Sequence, residues 1–313
     1  MKTLDFLIIG AQKCATTALF EHLRHHPDIV MPLEKELPFF TRDHCSKKDW
    51  HAFSQSKFNH ADESKLWGKA SPQYMCDPYV PERIKAIMPD IKLVAILRDP
   101  IDRTRSHYQM GKRRDTEQRS FTEAIKPLVD NDEGLFDGSS VYVPDHTEGY
   151  QSEEQFYVSW SEYGRVLSEF TKHFDADQIL ILYTEDLESK PQETLDQLLE
   201  FIGMPTGFCP PSLGKVIHRG GSKKRIPQSV REWFRQRSAV YWLWQCFPDA
   251  YRGHLRFKYE QWNIQKKAEK ESLSDPLFNT LRAHYGADLK LLLNLPSASA
   301  VTPPPWISRY LDA

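Results

Sequence analysis

The sequence predicts an α/β protein: a P-loop-like doubly wound parallel sheet with helices on both faces. Three observations predict it. Short apolar runs of β type alternate with amphipathic helical stretches, the pattern of parallel strands joined by crossover helices. The first run, Phe6–Ile9, ends at Gly10 and passes through the small and polar loop Ala11–Ala15 into a helix opened by Thr16 and Thr17. A later run, Lys92–Leu97, exits into Arg98-Asp99-Pro100, where the proline is placed to open the next helix.

Each element has its own signal. Leu19, Phe20 and Leu23 share one face of the first helix, and Ile29–Met31 reads as a short strand. A helix over Pro81–Met88 precedes the Lys92 strand, and a helix over Ile101–Arg113 follows it. Phe156–Phe174 places Phe156, Trp160, Tyr163, Leu167 and Phe170 at helical spacing. Strand Ile179–Tyr183 and helix Gln192–Ile202 come next, and Pro227–Phe247 reads as a further helix. Asp115–Gln155 shows little periodicity and reads as a long functional loop beside an acceptor site. In such a sheet, ligands bind at the carboxyl ends of the strands.

Composition fits one ordinary globular domain over 1–313, with 40% hydrophobic and 27% charged residues and no Gly/Ser/Pro linker. A net charge of −2 argues against bulk nucleic-acid binding. It conceals local bias: Arg98–Arg114 and Lys215–Arg237 are basic, and Asp130–Glu154 is acidic. The five cysteines are scattered without metal-ligand spacing, which suggests reduced thiols in a cytoplasm. Met1–Ile9 runs straight into the first strand, and no apolar stretch is long enough to cross a bilayer. The expectation is a cytoplasmic protein without membrane association; the oligomeric state is not legible.

The two strand exits carry the chemistry. A strand, a tight loop and a helix N-terminus bind phosphate or sulfate through free backbone N–H groups and the helix dipole. Lys13 adds a point charge inside that loop. Taken alone, this segment also fits the first turn of any doubly wound fold. It lacks the second Gly followed by Lys and Ser/Thr of a nucleotide-triphosphate loop, having Ala15, Thr16 and Thr17 there. At the other exit, Arg98 supplies a forked grip and Ser106, two helical turns on, a short hydroxyl donor for one phosphate.

At these residues the chain resembles a family. GAQKCATTALFEHL is similar to the 5′-phosphosulfate loop of sulfotransferases that use 3′-phosphoadenosine 5′-phosphosulfate (PAPS), and LRDPIDRTRSHY is similar to their 3′-phosphate motif. Lys35–Phe40 (KELPFF), Gly68–Tyr74 (GKASPQY) and Ile179–Leu199 match further segments in the expected order. The variant resembles the heparan-sulfate and bacterial branch. Cofactor motifs then span 4–25 and 92–113, an acceptor loop 115–155 and a cofactor-closing loop 215–227.

The resemblance implies sulfuryl transfer from PAPS to a hydroxyl or amine, with no metal required. It implies that Lys13 stabilises the leaving oxygen and that Glu36 is the general base; the other reading of Glu36 is a solvated acid beside Lys35. Gln12, Lys13, Cys14, Ala15, Thr16 and Thr17 would line the 5′ end of the cofactor, and Arg98, Ser106, Lys224 and Arg225 its 3′-phosphate. No chemical role falls to the Cys14 thiol or to His107. HRGGSKKR at His218–Arg225 fits either the closing loop or a basic surface loop. Lys35, Phe40, Lys69 and His146 are candidates for the acceptor side, and His44 and His146 are rival bases.

Two departures bear on the acceptor. Many relatives carry lysine directly before the Ser-Pro pair, where this chain has Ala70, with Lys69 one residue earlier and therefore on the other face of an extended segment. Glycan-acting relatives often place histidine after the Lys-Glu pair, where this chain has Pro38. A small molecule or natural product is the expected acceptor, with a glycan or a carrier-bound acyl chain as alternatives. The rival classes are a P-loop kinase and an inactive PAPS-binding protein.

Overall fold

β1 (Phe6–Gly10) is buried throughout and lies between two parallel neighbours, β3 (Leu66–Ala70) and β4 (Lys92–Leu97). β2 (Ile29–Val30) pairs with β3 and β5 (Ile179–Tyr183) with β4, which completes a five-stranded parallel sheet of order β2-β3-β1-β4-β5. The computed structural model describes residues 2–33, 35–36, 38–42, 44–59, 61–114, 116–130, 156–214, 222–224, 264–267, 274–298 and 302–311. The expected helix Pro227–Phe247 lies outside them. Strands buried on both faces read as continuous apolar runs, which is why Phe6–Ile9, Lys92–Leu97 and Ile179–Tyr183 were legible.

The helices among the described residues are α1 (Thr16–Leu23), α2 (Lys47–Lys57), α3 (Val80–Ile87), α4 (Pro100–Arg114), α5 (Phe121–Asp130), α6 (Tyr163–Thr171), α7 (Thr184–Ser189), α8 (Pro191–Phe201), α9 (Asp275–Leu293) and α10 (Ser308–Leu311). A 3₁₀ turn, Pro72–Cys76, follows β3. A separate two-stranded antiparallel sheet pairs β6 (Ser222–Lys224) with β7 (Ile264–Lys267), so part of the expected closing loop 215–227 is strand. The connection after β1 leads to one side of the sheet and that after β4 to the other. The crevice between the carboxyl ends of these two strands is therefore the topological switch point, where ligands of such sheets bind.

Two expectations need correction. The helix Phe156–Phe174 is broken into a 3₁₀ turn at Ser159–Ser161 and α6, because Glu162 takes a non-helical conformation. Asp288 of α9 restarts the helix, its carboxylate accepting the amides of Gly164 (2.9 Å) and Arg165 (2.8 Å). The segment Asp115–Gln155 is not all loop, since Phe121–Asp130 forms α5. Its start is a capping box: Glu123 accepts the Ser120 amide at 2.8 Å, and Ser120 Oγ accepts the Glu123 amide at 3.3 Å. Phe121, Ala124, Ile125 and Val129 form its buried stripe, a periodicity obscured by Pro127.

Candidate active site

The first exit extends β1 by one bond, the Ala11 amide to the Ile96 carbonyl of β4 (2.8 Å), before the chain turns. Gly10 is required here, because a Cβ would lie 2.5 Å from Cβ of Met75. Lys13 and Ala15 both sit at positive φ, +73° and +64°. Such conformations cost on the order of 1–3 kcal/mol each in non-glycine residues and concentrate at functional sites. Ala15 precedes α1 and provides no side-chain cap, so the first-turn amides of Thr16 and Thr17 lack intrahelical acceptors. The Cys14 side chain turns inward, 3.6 Å from the Tyr163 hydroxyl, so only its backbone belongs to the loop's outer surface.

Lys35 joins this loop to the candidate base. Its Nζ donates to Thr16 Oγ1 (3.2 Å), Thr17 Oγ1 (2.9 Å) and Glu36 Oε1 (3.0 Å). Gln73 Nε2 donates to the other Glu36 oxygen at 3.3 Å. Burial would raise the Glu36 carboxyl, but the Lys35 charge and the two hydrogen bonds hold it below its ordinary value. It is thus ionised at neutral pH, as a proton acceptor must be. Its side chain keeps 40% exposure, which leaves room for an incoming group.

Charge converges on Lys13. Burial foremost, and then the positive charges of Arg113, Arg114 and Lys35, press its ammonium down to about 7. Repulsion of this kind is relieved by an anion. Arg113 Nη1 and Gln12 Oε1 are buried and also lack a hydrogen-bond partner. The donor set fits a phosphate or sulfate group: amides at a helix start, two hydroxyls, a lysine in the loop and an arginine with a vacant N–H. Arg113 and Arg114 were not singled out from the sequence, although the basic last turn of α4 was their signal.

At the second exit, Arg98 is half-buried and lies 3.5 Å from the Asp102 carboxylate, and Asp99 caps α4 through the amides of Ile101 (3.0 Å) and Asp102 (3.1 Å). Ser106 is partly exposed on α4. The acceptor-side expectations fare differently. Phe40 is fully buried and stacked on Trp50, so it belongs to the core rather than to an acceptor surface. Lys69 is equally buried. Its Nζ reaches Ser71 Oγ (2.8 Å) and Tyr74 Oη (2.7 Å), and burial pushes its ammonium well below the ordinary value. The Tyr74 hydroxyl in turn accepts the amides of Phe39 (2.8 Å) and Phe40 (3.3 Å), which anchors the segment carrying Lys35 and Glu36. Lys69 is therefore a structural lysine. His44 is exposed, Lys224 lies on β6, and His146 and Arg225 fall outside the described residues.

The profile described as a sulfotransferase domain matches residues 3–219, the span that holds both strand exits. The chain belongs to the sulfotransferase family. Among curated relatives, the heparan sulfate glucosamine 3-O-sulfotransferase 3A1 of Mus musculus is 28% identical over 208 residues, 63% of this chain and 45% of that protein. The membrane-associated sulfotransferase kil1 of Dictyostelium discoideum is 31% identical over 107 residues, 34% of this chain and 23% of that protein. The chain thus spans less than half the length of these curated relatives. A solved sulfotransferase from Alicyclobacillus acidocaldarius, 22% identical, superposes with a TM-score of 0.55 over 82% of this chain and 97% of its own, and so shares the fold. No helix among the described residues of this family member is long and apolar enough to cross a membrane.

Proposed function

We propose that this sulfotransferase moves a sulfuryl group from PAPS to a hydroxyl or amine by in-line displacement, releasing adenosine 3′,5′-bisphosphate. The observation that carries the reading is the Lys35 bridge, which ties both loop threonines to Glu36 and so sets a base beside an anion loop. The Thr16 and Thr17 amides and hydroxyls bind the 5′-phosphate. Lys13 faces the bridging oxygen as charge develops there, and Glu36 takes the acceptor proton. Transfer of this kind relies on positioning and electrostatics more than on covalent chemistry. The heparan sulfate relatives make saccharides the first acceptors to try, followed by small hydroxyl or amine compounds. PAPS consumption across glycan, phenol, alkaloid and acyl-carrier acceptors tests the reading. Turnover with none of them, in protein that binds the nucleotide, speaks for an inactive binder.

Arg98→Ala and Ser106→Ala are each expected to weaken adenosine 3′,5′-bisphosphate by roughly 1.5–3 kcal/mol, the worth of a charge-assisted contact. A nucleotide lacking the 3′-phosphate should bind as before. Calorimetry on both ligands decides it, and equal losses on both would place the 3′-phosphate elsewhere.

Binding is also expected to take up protons. Free Lys13 titrates near 7, and a bound anion offsets its cationic neighbours and raises that value. The complex therefore holds more protons than the free protein above pH 7. Affinity falls as pH rises through that range, by up to about tenfold per unit. At pH 8, where phosphate is fully ionised, calorimetry in two buffers of different ionisation enthalpy should report uptake of nearly one proton. Proton release, or none exchanged, would remove Lys13 from the anion site.

A further inference from the structure

The run Pro303-Pro304-Pro305 leads into a C-terminal segment that lies against the second strand exit. Trp306 is 5% exposed and sits edge-on to Tyr183, the last residue of β5, with ring centroids 6.1 Å apart. From there α10 brings two side chains onto one carboxylate. Arg309 Nη2 donates to Asp99 Oδ2 (2.8 Å), and the Tyr310 hydroxyl donates to Asp99 Oδ1 (2.7 Å). The same Oδ1 caps α4 through the amides of Ile101 and Asp102. Four donors therefore fix a buried carboxylate between Arg98 and the first turn of α4. The segment is held from behind by α9: Arg282 Nε donates to the Arg309 carbonyl, and Gly286 is a glycine because its Cβ would lie 2.6 Å from the Tyr310 carbonyl oxygen.

An aspartate directly after the phosphate-gripping arginine is a hazard. Released, its charge would repel a phosphate held there and compete for the Arg98 guanidinium. Arg309 neutralises that charge, and Tyr310 fixes its direction. We propose that Arg309 and Tyr310 are positioning residues for the cofactor's 3′-phosphate, acting through Asp99 on Arg98 and the start of α4. This rests on the assignment of Arg98 and Ser106 to the 3′-phosphate.

The test is calorimetry of adenosine 3′,5′-bisphosphate and adenosine 5′-monophosphate on the full chain, comparing wild type with Arg309→Ala, Arg309→Lys, Tyr310→Phe and Arg98→Ala. Arg309→Ala and Tyr310→Phe should each weaken the bisphosphate about five- to tenfold, the effect of one hydrogen bond. The monophosphate should change less than about twofold, and Arg309→Lys should restore most of the loss. Tyr310→Phe keeps the ring packed, so it reports on the bond even where Arg309→Ala perturbs folding. Equal losses on both nucleotides would show that the segment only supports the fold and overturn the proposal, as would no loss on either. If Arg98→Ala is selective and the clamp variants are not, the clamp falls and the 3′-phosphate assignment stands. If Arg98→Ala is not selective, both fall.

Discussion

Lys13→Ala is expected to lower turnover by about 10² or more while leaving the affinity for PAPS, measured without acceptor, within about tenfold. The asymmetry follows from where charge appears. On the proposed reading the loop amides and the Thr16 and Thr17 hydroxyls, which Lys35 bridges, already hold the 5′-phosphate in the ground state. The bridging oxygen gains negative charge only as the sulfur–oxygen bond breaks, and an interaction made only then acts on kcat. Lys13 suits this task because burial and three neighbouring cations lower its ammonium to about 7, so it is easily repolarised by a developing anion. The substitution leaves the backbone at φ +73°, where alanine carries the same Cβ as lysine, so the strain at this position is unchanged in the variant. Single-turnover rates and binding constants on the same preparation separate the two effects. Turnover within a few-fold of wild type would end the assignment.

Glu36→Gln is expected to keep nucleotide binding and to lower transfer by about 10²–10⁴, the usual range for loss of a general base. Glutamine keeps the size and can still accept from Lys35 and Gln73, but it cannot take a proton at neutral pH. Lys35 retains its bonds to Thr16 and Thr17, so the loop stays assembled. Glu36→Gln, His146→Ala and His44→Ala belong in one assay. An active Glu36→Gln beside an inactive histidine variant would transfer the role to that histidine. The carboxyl is held below its ordinary value, so the rate should stay level from pH 8 down to about pH 5 as far as Glu36 is concerned, and fall only when the carboxylate itself is protonated.

Much of the fold was legible because buried parallel strands leave an uninterrupted apolar signature. β4 and β5 have the expected bounds and β1 is longer by one residue, Gly10. β3 was harder, since LWGKA interrupts its apolar run with a glycine and a lysine that packs inward on Tyr74. The same lysine shows where sequence reading stops. Residue type and spacing made Lys69 a candidate acceptor contact, and only the tertiary arrangement shows that its amine ends on two hydroxyls in the core. The converse holds for Arg113 and Arg114. They read as a basic helix end, and the path of α4 past the first loop turns them into part of the field at Lys13. Phe40 failed for a third reason: an aromatic pair beside a candidate site segment reads alike whether it lines a pocket or, as here with Trp50, packs in the core.

The most direct measurement is thermal stabilisation by adenosine 3′,5′-bisphosphate in the presence of a metal chelator, set against ATP with Mg²⁺. A ligand at about 100 times its dissociation constant stabilises by about 2.7 kcal/mol, enough to shift the midpoint by a few degrees. The predicted result is a saturable shift with the bisphosphate, undiminished by the chelator and reduced in Arg98→Ala. A shift with ATP and Mg²⁺ and none with the bisphosphate would contradict the assignment of the two strand exits to a doubly phosphorylated adenosine.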